Sequence, residues 1–500
     1  MQPVVTAAEA RALDRVTMTD VGLPGVVMME VAGRGVAAEV QRALAERPGP
    51  VVVVCGGGGN GGDGLVVARV LRAAGVDATA FLAVPASAVT GDAVTHLGVY
   101  QRSGGALVDA SGDDGPALIA AAAARAAVVV DALFGIGVTR AVEGRLAAVI
   151  AAIDGAPGRR IAIDVPSGLD ADTGQVRGVA VRADVTVTMA APKVGIAVAP
   201  GAAYAGRVVV VDIGVPPAVL AAMAPRAALV EAADVVAWQR PRDALTHKHR
   251  RGHLLVVAGA PGTRGAGRLA AIAGLRAGAG LVTLAGPSGG GELAAPDPIM
   301  TAALDDAGGL GALLAGKQAL AIGPGMPADA RGRAWIDHAL AAGVPCVIDA
   351  AGLGHLVGRL DAVAAAAGRV VLTPHSGEAA RLLGTTAAAI DADRPAAVRA
   401  LAAATRAVVL LKGPRTLVCD GRAGDAIAIN PTGGPALATA GSGDVLTGVI
   451  GALLAAAQPP AIAASLGAYL HGAAGDALAA TLGQGVIASD LPEAIARLAR

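Results

Sequence analysis

The chain has almost no aromatic residues, three cysteines, no excess of charge and no unbroken apolar run of membrane length. Aromatics are 1% of 500 residues, so the 54% apolar content is chiefly Ala, Val and Leu, the material of Ala-rich helices and Val-rich strands. Lys plus Arg and Asp plus Glu are 40 each, so no overall field draws the chain to nucleic acid or an anionic membrane. A charged ligand must be recognised locally. A bilayer span needs about 20 apolar residues, and Gly or Pro breaks every candidate. The start, Met1-Gln2-Pro3-Val4-Val5-Thr6, lacks a basic segment followed by an apolar core, so no secretory signal is expected and the cytoplasm is the expected compartment. Cys55, Cys346 and Cys419 are far apart and odd in number, which favours buried free thiols over disulfides or a metal site.

What is present is alternation. Val-rich runs of strand length (Pro50–Cys55, Ala78–Val84, Ala127–Asp131, Arg160–Asp164, Arg207–Asp212) alternate with segments of helical length. A second series follows at His253–Gly259, Ala319–Gly323, Cys346–Asp349, Val370–Thr373 and Val408–Lys412. Continuous apolar strands between helices predict parallel sheets covered on both faces. The pattern lapses after Gly214-Val215-Pro216-Pro217 and through the polar stretch from Trp238 to Arg251. One domain is therefore expected over 1–217 and another over 225–500, with no repeat of solenoid period.

Residues 56–64, Gly-Gly-Gly-Gly-Asn-Gly-Gly-Asp-Gly, follow a strand, open a helix and satisfy Gly-x-Gly-x-x-Gly. A dehydrogenase loop would also need an acid at the end of the next strand. Here Asp77 precedes that strand, which runs into Pro85. The other strand ends carry Asp131 and Asp164, each followed by a glycine loop. Oxygens of Asn60, Asp131 and Ser167 can converge on a hard monovalent cation, leaving Asp164 as an acid/base. Helix capping is the plainer reading of such Asp residues.

Gly58-x-Asn60-Gly61-Gly62-Asp63-Gly64, Asp131-Ala132-Leu133-Phe134-Gly135 and Asp164-Val165-Pro166-Ser167-Gly168-Leu169-Asp170 resemble the NAD(P)H-hydrate epimerase family in kind and order. The resemblance implies a potassium site of Asn60, Asp131 and Ser167. It also implies substrate contacts from Gly59, Asn60, Gly61, Gly62 and Asp63, and from Gly135, Ile136, Gly137, Val138, Thr139, Arg140 and Ala141, with Asp164 near the reacting carbon. Gly59 stands where that family has a first asparagine.

Near the C-terminus, Gly433-Gly434-Pro435 and Gly441-Ser442-Gly443-Asp444 precede a helical run. Glycine N–H groups and a helix N-terminus suit an anion. A carboxylate there is explained by a proton to be taken from an attacking hydroxyl, although the helix dipole alone also favours Asp in a first turn. Gly323-Pro324-Gly325, Thr373-Pro374-His375-Ser376-Gly377-Glu378 and Lys412-Gly413-Pro414-Arg415-Thr416 follow other strands of the same half. This set resembles the ADP/ATP-dependent NAD(P)H-hydrate dehydratase family, whose fold is ribokinase-like. It implies nucleotide contacts from Lys412, Gly413, Pro414, Arg415, Thr416 and Gly443, and substrate contacts from Ala266, Gly325, His375 and Asp444. Magnesium and ADP, or ATP, are the implied partners of this half. Ala351, Gly434 and the turn Gly259–Gly265 depart from the family pattern.

The expected molecule is thus α/β throughout: an N-terminal Rossmann-like three-layer domain followed by a ribokinase-like α/β domain. It would epimerise the R and S hydrates of NADH or NADPH with Asp164 as acid/base. It would dehydrate the S form with Asp444 as base, converting ADP to AMP and phosphate. Relatives imply a homo-oligomer. Two alternatives stay open here: a ribokinase-type kinase of a small alcohol, and a non-catalytic nucleotide-binding first domain. His247-x-His249 with His253 reads as a basic solvated strand entry, and Asp391-x-Asp393 lacks a calcium-ligand pattern.

Overall fold

Alternate side chains of Val51–Cys55 enter two different cores. In the computed structural model, Val51, Val53 and Cys55 pack with Leu65 and Leu97, while Val52 and Val54 pack with Ile119 and Ile150. A strand apolar on both faces must be covered on both, and the helices flanking it in sequence do so. The structure describes residues 1–239, 245–288, 296, 298–366 and 368–499, so residues 240–244 of the polar stretch lie outside the described residues.

The chain divides into two compact units, Pro3–Ala227 and a second that joins Met1–Gln2 to Ala228–Arg500. The break falls beyond residue 217 because Val219, Leu220 and Met223 pack against the cluster of Ala10 and Leu13. Strand Ala227–Leu229 leads into the second unit's sheet, where Val230 N–H donates to Ile429 O at 3.0 Å.

The first unit's sheet has seven strands in the order Leu107–Asp109, Ala78–Leu82, Val51–Cys55, Val128–Ala132, Arg159–Ile163, Val185–Met189, Arg207–Val211. Every pairing is parallel. The chain builds outward from Val51–Cys55 in one direction, then returns to its other side with Val128–Ala132. Such a reversal parts the loops at the carboxyl ends of two neighbouring strands and leaves a crevice.

The second unit repeats the device. Met300–Ala303, Leu281–Gly286 and His253–Val257 lie on one side of its reversal; Ala319–Ile322, Cys346–Ile348, Val370–Leu372 and Val408–Leu411 lie on the other, all parallel. Leu417–Asp420 and Ile427–Ile429 then extend the sheet antiparallel. Helices Arg264–Arg276 and Ser442–Ala455 cross so closely that a Cβ on Gly448 would stand 2.0 Å from Ala270 O. The three cysteines are buried free thiols.

Candidate active sites

In the first unit a cavity of about 520 Å³ opens at the strand-order reversal. Gly57–Asn60 and Asp63 reach it from the loop and helix after Val51–Cys55. Leu133–Gly137 follow Val128–Ala132, Asp164 follows Arg159–Ile163, and Lys193 follows Val185–Met189. Helix Ala7–Val16 adds Arg11 and Asp14.

Asp164 adopts a left-handed backbone, φ 65°, which turns its carboxylate toward the end of the neighbouring strand. There Oδ1 pairs with the Lys193 ammonium at 2.5 Å and accepts from Thr188 Oγ1 at 3.0 Å. Lys193 is 3% exposed and also donates to Thr188 Oγ1 and Met189 O, so its three protons are committed. A Cβ at Gly135 would stand 3.2 Å from Asn60 Oδ1 and 3.6 Å from Asp164 Oδ2, so glycine leaves room for a ligand beside both.

Beneath this lies a nest of oxygens. Asp131 is fully buried and accepts from Ser167 Oγ (2.5 Å), Ser167 N–H (2.8 Å) and Leu133 N–H (3.3 Å). Asn60 donates through Nδ2 to Phe134 O at 2.8 Å. Burial pushes the Asp131 carboxyl up to about 6, against the lowering effect of its hydrogen bonds. Among the described residues it has no ion-pair partner. Carboxylate, amide, hydroxyl and carbonyl oxygens around an uncompensated buried acid are the donor chemistry of a hard cation.

In the second unit the two loops at the reversal are joined. Gly259 N–H donates to Pro324 O at 3.0 Å, Ala260 N–H to Gly325 O at 2.7 Å, and Thr263 Oγ1 to Gly325 O at 2.8 Å. This sets Gly325 beside the first turn of helix Arg264–Arg276, which carries Ala266. Across the site, Asp349 is buried at the end of Cys346–Ile348, where Oδ1 takes the Lys412 ammonium at 2.6 Å and Oδ2 the Thr447 hydroxyl at 2.7 Å. Lys412 also lies 3.7 Å from Glu378. Burial works against its charge, yet Asp349 and Glu378 hold it above the usual lysine range. Gly443 faces this cluster: a Cβ there would lie 3.5 Å from Lys412 Nζ and 3.7 Å from Asp349 Oδ2.

Asp444 stands in the first turn of Ser442–Ala455. Burial, then repulsion from Asp349, raises its carboxyl to about 6, with Lys412 acting oppositely. Below the loop His471 is buried, with Nε2 3.1 Å from Ser442 Oγ and 3.0 Å from Ser442 O; burial lowers it to about 4, so it is a neutral strut at ordinary pH. His375 caps its helix: Nδ1 accepts from Gly377 N–H (3.0 Å) and Glu378 N–H (3.3 Å), which places its proton on Nε2.

Of the residues expected at the first site, Gly59, Asn60, Asp63, Gly135, Ile136, Gly137 and Asp164 line the cavity. Gly61 and Gly62 are buried inside the first helical turn and do not reach it. Val138 is buried, and Thr139, Arg140 and Ala141 are exposed outside the cavity lining, because the chain turns away after Gly137. At the second site Gly413–Thr416 form the turn between two antiparallel strands, closed by Thr416 Oγ1 to Gly413 O at 2.9 Å. Sequence reasoning missed Lys193, Asp14, Asp349 and Thr447. Lys193 had a signal, as a cation in an otherwise apolar stretch, and Asp349 ends a strand just as Asp131 and Asp164 do.

Comparison with known proteins matches both halves. Residues 25–195 fit the family model described as YjeF-related protein N-terminus, and 254–497 that of NAD(P)H-hydrate dehydratase. The bifunctional NAD(P)H-hydrate repair enzyme of Moorella thermoacetica is 43% identical over 481 residues, covering 92% of this chain and 90% of that protein. The protein of that name in Salinibacter ruber is 39% identical, covering 99% and 96%. Among solved structures, the ADP/ATP-dependent NAD(P)H-hydrate dehydratase of Bacillus subtilis co-crystallised with ATP/Mg2+ is 29% identical, covers 53% of this chain and 94% of its own, and superposes with a TM-score of 0.45. With identity of this order along nearly its whole length, the chain belongs to the bifunctional NAD(P)H-hydrate repair enzymes.

Proposed function

We propose that the two sites act in sequence on hydrated nicotinamide cofactors, the first interconverting the R and S hydrates and the second returning the S hydrate to NADH or NADPH. What carries the reading is that one chain, similar to such enzymes in both halves, holds a carboxylate-centred site at the strand-order reversal of each sheet.

In the first unit Asp164 is the acid/base beside the hydroxyl-bearing carbon, with Lys193 and Thr188 fixing Oδ1 and leaving Oδ2 toward Gly135. Asn60, Asp131 and Ser167 would hold potassium, which supplies the positive charge that buried Asp131 lacks.

In the second unit Asp444 removes the proton of the substrate hydroxyl, whose oxygen attacks the terminal phosphorus of the nucleotide. Hydroxide is a poor leaving group and phosphate a good one. Elimination of phosphate with a neighbouring ring proton restores the double bond. The N–H groups at the start of Ser442–Ala455 face the transferring charge, and Lys412 with the turn Gly413–Thr416 borders the nucleotide. Asp349 has both oxygens engaged, so magnesium would be held chiefly through the phosphates, near Asp444 and Glu378, and neutralise them. ADP is the proposed donor, giving AMP and phosphate. The setting we infer is a cytoplasmic homo-oligomer, in keeping with three unpaired buried thiols. Among the described residues no helix is long and apolar enough to cross a membrane.

The test is recovery of reduced-nicotinamide absorbance from a mixture of R and S hydrate with ADP or ATP. The intact protein is expected to recover all of it. Asp164→Asn should recover only the S fraction and Asp444→Asn none. No recovery by the intact protein sinks the proposal.

A further inference from the structure

Six charged side chains line the first cavity: Arg11, Asp14, Asp63, Asp92, Asp164 and Lys193. Only Lys193 among the cations is buried, and all its protons are already given to Asp164, Thr188 and Met189 O. Arg11 is exposed and donates to Ile136 O at 3.2 Å. Asp92 is exposed at the rim, beside Gly25. Among the described residues, Asp63 therefore stands on the cavity wall without a cation of its own. Its place is set by helix Gly59–Ala73, which begins at the strand-order reversal.

We propose that Asp63 is a second catalytic residue of the first site, the proton donor to the departing hydroxyl, with Asp164 receiving the proton of the water that returns. The inference rests on the epimerase reading above.

The hydroxyl-bearing carbon adjoins the ring nitrogen. The Asp63 carboxyl gives its proton to the hydroxyl oxygen, the C–O bond breaks with its electron pair on oxygen, and water departs. The nitrogen lone pair closes a C=N bond, so the ring carries the positive charge. Water then adds to that carbon from the other face, and Asp164 takes its proton. Asp63 ends as carboxylate and Asp164 as acid; exchange with solvent resets both, and the reverse direction uses them in opposite roles. Acid and base roles divide between two carboxyls when their surroundings differ. Here Asp164 is ion-paired and Asp63 is not. Burial, then the charges of Asp164 and Asp14, carries the Asp63 carboxyl well above the usual range, against Lys193. Asp14 is raised by burial as well, so it is the control.

The experiment uses the full chain and follows epimerisation of R hydrate from pH 5 to 9, with dehydration of pure S hydrate as the measure that the protein is folded. In the intact protein the rate should fall on the alkaline side as the donor loses its proton. Asp63→Asn should lower kcat at least 100-fold, change KM less than threefold, abolish the alkaline fall and leave S dehydration intact. Asp14→Asn should keep the alkaline fall. If Asp63→Asn raises KM with kcat and the pH profile kept, Asp63 only positions substrate and the proposal is overturned. It is equally overturned if Asp14→Asn, and not Asp63→Asn, removes the alkaline fall. If the intact protein does not epimerise at all, the failure belongs to the underlying reading.

Discussion

At the scale of single residues, Asp444 shows how position sets chemistry. A carboxyl raised to about 6 by burial and by Asp349 is a better base than a surface aspartate and is still ionised at neutral pH. Only the carboxylate can take a proton, so dehydration is expected to be lost as pH falls through about 6 and kept above it. The pH profile of kcat/KM for S hydrate should show this acidic fall. Asp444→Asn should lower the rate by about 10²–10⁴ and flatten the profile. A variant that keeps the wild-type fall would assign the titration to another group.

At the scale of elements, Thr447 joins helix Ser442–Ala455 to the end of strand Cys346–Ile348 through Asp349 Oδ2. Thr447→Val keeps the shape and removes the donor, leaving a buried carboxylate oxygen unpaired. The expected cost is about 1–3 kcal/mol, read as a lower midpoint of the second unit in urea unfolding, together with slower dehydration. The strands were legible where Val and Ile run unbroken, as in Val51–Cys55 and Arg159–Ile163. Val185–Met189 escaped notice because Thr186 and Thr188 make Val-Thr-Val-Thr-Met read as half-exposed. Both threonines are buried, one bonded to Ala205 O at 2.6 Å, the other supporting Asp164. Leu417–Asp420 and Ile427–Ile429 are short strands whose pairing is antiparallel, a long-range choice that local pattern does not encode. The same limit applied to the sites. Motifs located the loops, but Lys193 and Asp349 matter through partners 29 and 63 residues away in sequence, Asp164 and Lys412.

At the scale of the molecule, each unit has its own sheet, its own core and its own site, and no disulfide secures either. Burial pushes Cys55 and Cys346 up to about 12 and Cys419 up to about 11, which removes thiolate at working pH. A thiol-reactive disulfide dye at pH 8 should label none in the folded protein and all three in guanidinium. Rapid labelling of the folded protein would show that a strand end opens readily. The chain is neutral as a whole, yet the second site holds more acid than base: Asp349, Glu378 and Asp444 stand around Lys412, with Arg415 on the turn that follows it. The nucleotide proposed for it is a polyphosphate. A bare polyanion would meet repulsion at that doorway, so the proposed reading has the site take up a salt, the anion together with the counterions it brings. Ionic composition, rather than ionic strength alone, is then expected to govern binding there.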